Sequence, residues 1–136
     1  MNIVSVWGDD DAKCELIERV AYFCIDQLMP RMKTLDICID TEIGDENADG
    51  FCLANSKRQF EILIDGDLEG DDLVTAVCHE LVHVSQISQG RLSINERETY
   101  ETVEQYLNLW FEIEAYQLQE ILLTKYKESC HTNVID

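Results

Sequence analysis

One stretch constrains this chain more than any other: Asp72-Leu-Val-Thr-Ala-Val-Cys-His-Glu-Leu-Val-His-Val-Ser-Gln-Ile-Ser-Gln89. Leu73, Val74, Val77, Leu81, Val84 and Ile87 recur at three- and four-residue steps, the period of a helix with a buried face. Gly90 stands where a glycine closes such a helix, and Gly70-Asp71 ahead of it offers an acidic first turn and a capping side chain. Inside the stretch lies His79-Glu80-Leu81-Val82-His83. Residues four apart on a helix share a face about one turn apart, so both imidazoles can reach a single metal ion. Glu80 projects beside them, where it can accept a proton from a metal-activated water. A buried helix can carry histidines for packing alone. Yet the chain has only three histidines, and two fall here with a glutamate directly after the first, which makes a zinc site the stronger reading.

The rest of the composition narrows the setting. At 136 residues and 46% hydrophobic, with a single proline, the chain reads as one folded domain over residues 1–136 with a sizeable core. No apolar run approaches the roughly 18 residues of a membrane span. The N-terminus Met-Asn-Ile-Val-Ser-Val-Trp-Gly has neither a basic region nor a long apolar one, so it does not read as a signal peptide, and the expected location is cytoplasmic. Six cysteines (Cys14, Cys24, Cys38, Cys52, Cys78 and Cys130) are scattered singly without a C-x-x-C pair. They read as reduced, mostly buried small hydrophobes, and Cys78 as packing rather than a ligand. The net charge is −18, with 28 acidic residues against 10 basic ones. Such a surface disfavours nucleic acid and favours basic peptides or proteins as substrates and partners.

Along the chain, Ile3 to Val6 reads as a short strand, and Gly8-Asp9-Asp10-Asp11 as a turn and N-cap. A helix follows from about Ala12 to Met29, ended or bent by Pro30. Leu35 to Asp40 alternates with period two and marks a strand. A polar loop spans Gly44 to Gly50, Phe51 to Leu53 suits a short strand, and Phe60 to Asp65 is a further strand closed by Gly66. A meander of these strands predicts a small, mainly antiparallel sheet. After Gly90 a loop runs to about Arg97, and a long helix is expected from about Tyr106 to Lys127-Glu128. The order helix, strands, helix, helix indicates an α+β domain.

A hydrolytic zinc site needs three protein ligands and an open position. A third histidine six residues after His83 is excluded, because that position is Gln89. The remaining source is an acidic residue on a later helix, and Leu109-Trp-Phe-Glu-Ile-Glu-Ala-Tyr116 offers Glu112 and Glu114. These lie about 200° apart on a helix, so only one can face the metal. Helix geometry leaves the choice open, and the small neighbour Ala115 leans it toward Glu114.

His79-Glu-Leu-Val-His-Val-Ser-Gln86, followed by Trp110-Phe-Glu-Ile-Glu-Ala-Tyr116, resembles a group of very small zincin-like metallopeptidases common among bacteriophage and bacterial proteins, similar to gluzincins. The likeness covers about Asp71 to Glu120. It implies a zincin-like fold, zinc bound by His79, His83 and Glu114, and Glu80 as general base. Trp110-Phe111 stands where the group has Pro-Trp, and Gln117 and Leu118 where an acidic residue often supports a zinc histidine.

The chemistry so implied is peptide hydrolysis by zinc-activated water, with Glu80 shuttling the proton to the leaving amine. Tyr100, Tyr106, Arg97 and His131 are candidates for a further oxyanion donor, and the strand from Phe60 to Ile64 reads equally as the edge of the cleft or as plain core sheet. The competing reading is a non-catalytic acidic interaction protein, a decoy for a basic host factor that keeps zinc for folding. Glu80 favours catalysis, because a structural zinc site does not need it.

Overall fold

The computed structural model describes residues 1–41, 49–94 and 109–132, the side chains of 131 and 132 apart. Within them the order is β1 (Ile3–Trp7), α1 (Asp11–Leu28), β2 (Asp36–Asp40), β3 (Gly50–Ala54), β4 (Gln59–Ile64), α2 (Gly70–Ser88) and α3 (Trp110–Thr132). This is an α+β arrangement of three helices and a four-stranded mixed sheet.

α1 forms where expected. The Asp10 side chain accepts a hydrogen bond from the Lys13 backbone N–H at 3.1 Å, satisfying one donor that a helix start leaves open. Ile17, Val20, Ala21, Cys24 and Ile25 are buried along one face, the i, i+3, i+4, i+7, i+8 stripe of a helix packed on one side.

The sheet departs from the expected antiparallel meander. Its strand order is β1-β2-β4-β3; β1 runs parallel to β2, β2 parallel to β4, and only β3 and β4 are antiparallel. Two physical reasons account for the difference. α1 is a crossover, and a helix between two strands returns the chain in the same direction. The β3–β4 hairpin then docks through β4, because β4 has the larger apolar face. Phe60, Ile62 and Ile64 are each at most 2% exposed, whereas β3 buries only Cys52. Of its two readings, cleft edge and core sheet, the strand from Phe60 to Ile64 is therefore core sheet, and among the described strands β1 and β3 are the edges.

Helices α1 and α2 pack against one face of this sheet and against each other. Toward them point Ile37, Ile39, Phe60, Ile62 and Ile64, while the alternate residues Asp36 and Glu61 are exposed. Each large side chain so buried contributes about 1.5–3 kcal/mol. α2 is enclosed on nearly all sides: from Ala76 to Ser88 every residue but His79 is buried. Its N-cap, Glu69, makes no side-chain cap bond, and the expected acidic first turn is Asp71 and Asp72. Gly90 has φ +78°, the left-handed conformation that ends a helix and that glycine adopts without strain.

α3 lies along α2, and among the described elements it touches only α2 and α1. It runs antiparallel to α2. Glu112 meets His83, Gln119 meets His79, and Lys127 pairs with Asp71 at 2.9 Å. Tyr126 packs edge-on against Phe23 of α1 at 5.4 Å.

All six cysteines are free; Cys24, Cys52 and Cys78 are buried and Cys130 is exposed. Cys78 packs against Cys24 with their sulfurs 3.6 Å apart, which agrees with a packing role. The Cys78 hydrogen bond, and then burial, hold the Cys24 thiol well above its ordinary pKa, and such a thiol is inert. No described helix is long and apolar enough to cross a membrane.

Candidate metal centre

The two motif histidines project from α2 toward α3 with ring centroids 4.9 Å apart. Glu112, in the first turn of α3, reaches both. Its Oε1 is 2.5 Å from His83 Nε2 and its Oε2 is 3.3 Å from His79 Nε2. His83 and Glu112 are essentially sealed, and the His79 side chain is 12% exposed. One ligand atom from each of the three lies within 4.8 Å of the others, so His79, His83 and Glu112 can hold a metal ion.

Glu114, the expected third ligand, is elsewhere. Its carboxylate pairs with Arg91 at 2.9 Å and accepts from the Gln86 amide at 3.1 Å. The correction follows from helix register. Phe111, Ala115 and Leu122 are buried toward α2, and Glu112 is three residues before Ala115 on the same face. Glu114 is one residue before it, about 100° round the helix. The small residue read as favouring Glu114 marks the face of Glu112.

The unprotonated Nε2 atoms that a metal requires are set up by the other ring nitrogens. His83 Nδ1 is 2.8 Å from Gln86 Oε1, and His79 Nδ1 is 2.7 Å from Gln119 Oε1. A carbonyl oxygen can only accept, so each Nδ1 carries a proton, and in the neutral ring that leaves the Nε2 lone pair facing Glu112. His83 Nε2 and Glu112 Oε1 are buried yet make no hydrogen bond of good alignment despite their closeness. Lone pairs directed at a shared point rather than at one another produce that pattern, and buried polar atoms are seldom left this way without a ligand.

The carboxylate and the rings also act on one another electrostatically. Burial alone would raise the Glu112 carboxyl pKa, but contact with His79 and His83 outweighs it and holds the group far below the carboxylate range. For His79, burial disfavours the charged ring, while Glu112, Glu80 and Gln119 favour it more, and its pKa is raised. Both shifts have the Glu112 carboxylate against the imidazole rings as a cause.

Glu80 is 4% exposed and lies under the start of β3. A Cβ added at Gly50 would come within 3.1 Å of Glu80 Oε2, so glycine there leaves the carboxylate its space. Tyr116, one turn along α3 from Glu112, packs edge-on to His79 at 4.7 Å and remains about half exposed. Burial, then the charges of Glu112, Glu80 and Asp49, push its phenol pKa up, which keeps the hydroxyl protonated as a donor.

Gln86, Gln119 and Tyr116 escaped the sequence reading. Helical spacing from the ligands locates all three: Gln86 follows His83 by three, Tyr116 follows Glu112 by four, and Gln119 follows it by seven. The histidine support sought at Gln117 and Leu118 comes from Gln86 and Gln119 instead. Of the oxyanion candidates, Arg97, Tyr100 and Tyr106 lie outside the described residues, as does the His131 side chain. Set against family models, curated proteins and solved structures, the chain finds no match in any of the three.

Proposed function

We propose that the protein is a small zinc-dependent, zincin-like peptidase, with His79, His83 and Glu112 as the metal ligands and Glu80 as the general base. The observation that carries this reading is the convergence of two Nε2-presenting imidazoles and a carboxylate beside the buried Glu80 carboxylate. Two histidines and one carboxylate suit zinc, and three protein ligands leave a position open for chemistry. Zinc bound there supplies Lewis acidity, polarising a carbonyl and lowering the pKa of water.

The chain's own groups do the rest. Glu80 takes a proton from the attacking water and passes it to the leaving amine. Tyr116 is placed on the same side as His79 to donate a hydrogen bond to the carbonyl oxygen as negative charge grows on it. The net charge of −18 favours basic peptides.

The test begins with metal analysis of purified protein, where one zinc per chain is expected. A proteome-derived peptide library is then digested with wild type and with Glu80→Gln. The variant should keep its zinc and lose cleavage by about 10²- to 10⁴-fold. Equal products from both would remove the peptidase reading and favour an acidic, zinc-containing interaction protein.

A further inference from the structure

The Arg91–Glu114 pair has no part in the proposed chemistry, yet it is joined to the metal centre through one buried amide. Gln86 is fully buried. Its Oε1 lies against His83 Nδ1 at 2.8 Å, and its Nε2 donates to the Phe111 carbonyl at 3.0 Å and to Glu114 Oε1 at 3.1 Å. Glu114 in turn is gripped by both ends of the Arg91 guanidinium, Oε2 at 3.0 Å and Oε1 at 2.9 Å. Arg91 is itself anchored, because its backbone N–H donates to the Gln86 carbonyl at 2.9 Å. Its guanidinium also sits 6.0 Å from the Trp110 ring centre.

Accepting the reading of His79, His83 and Glu112 as a metal site, we infer that Arg91 and Glu114 are outer positioning residues that act on the metal through Gln86. An amide is two-faced: turned over, it presents N–H where it now presents oxygen. Turned over here, it would donate to His83 Nδ1, so the ring proton would move to Nε2 and block the metal. What fixes the amide is the pair of acceptors on its other side, the Phe111 carbonyl and the Glu114 carboxylate. A flipped amide would set its oxygen against both, one of them charged. Phe111 O belongs to the α3 backbone and is present whatever the side chains. Glu114 adds the charged, charge-assisted half of the lock, and Arg91 holds Glu114 in place. The pair is partly exposed, 43% for Arg91 and 29% for Glu114, so the state of a surface ion pair is carried inward to a sealed ligand.

The experiment is a double-mutant cycle on the full chain, with zinc affinity measured by competition against a chromophoric chelator. Gln86→Met keeps side-chain length and removes the amide. It should weaken zinc about 10- to 100-fold, as loss of a group supporting a metal ligand does. Glu114→Ala should weaken zinc by about tenfold or less in the wild-type background, and by nothing further in the Gln86→Met background. That non-additivity separates action through Gln86 from general loosening of α3, which would weaken zinc equally in both backgrounds and overturn the inference. No effect of Glu114→Ala in wild type would also overturn it. Should Gln86→Met fail to fold, the same logic runs on the surface. Arg91→Met should weaken zinc in wild type and leave the Glu114→Ala variant unchanged, and an undiminished effect there counts against the inference. Glu112→Ala serves as the control: if it binds zinc as wild type does, the metal site itself is wrong, a result distinct from either cycle.

Discussion

Glu112 brings a negative charge to the place where two imidazoles already converge, and the burial of His83 and Glu112 limits how far water screens them. Glu114, two residues on, meets an arginine at the surface, and such pairs are worth little. The two glutamates should therefore behave very differently. Glu112→Ala removes a ligand and should cost more than about 100-fold in zinc affinity, beyond what supporting residues cost. Glu114→Ala should leave one zinc per chain, with the smaller loss described above; isothermal titration with zinc distinguishes them. His79, Glu80 and His83 were legible because their spacing is local to one helix. Glu112 was not, since choosing between two glutamates depends on which face α3 turns to α2. Phe111, Ala115 and Leu122 decide that together, and the arc of apolar residues on α3 was too wide to single them out.

At the scale of elements, the two helices that carry the site meet through a small residue. Ala115 is wholly buried where α3 crosses α2, and its methyl group lets Glu112 approach the histidines. Ala115→Leu should separate the helices. Overpacking of this kind costs about 1–3 kcal/mol, and the added distance should lower zinc affinity as well, so thermal melts with and without zinc should show a smaller zinc-induced rise than in wild type. Element positions were readable, because period two and period 3.6 are written locally in Ile37-Cys38-Ile39 and in Val77-Leu81-Val84. Strand partners were not. Nothing local to Phe60–Ile64 shows that it will pair with β2, since that depends on α1 turning the chain back and on β4 having more apolar surface to hide than β3.

For the whole molecule, the order of periodic segments foresaw an α+β domain and composition a strong net negative charge, and among the described strands β3 and β1 are the sheet's two edges. The core beneath α1 and α2 is continuous with the sheet. α3 adds Phe111, Ala115 and Leu122 to that core, but among the described elements it rests on α2 and, more lightly, on α1, and on no strand. Among the described residues its attachment is an apolar seam, the Tyr126–Phe23 contact, the Lys127–Asp71 and Arg91–Glu114 pairs and the groups around the metal centre. Such a segment can open while the rest stays folded. The amide protons of α3 should therefore exchange with solvent sooner than those of β2 and β4 when zinc is stripped by a chelator, and the gap should close when zinc is restored. Uniform exchange across both states would show α3 to be as firmly held as the sheet. The domain thus has a built-in seam along which it comes apart, and the ion that would serve chemistry is also the clasp that closes it.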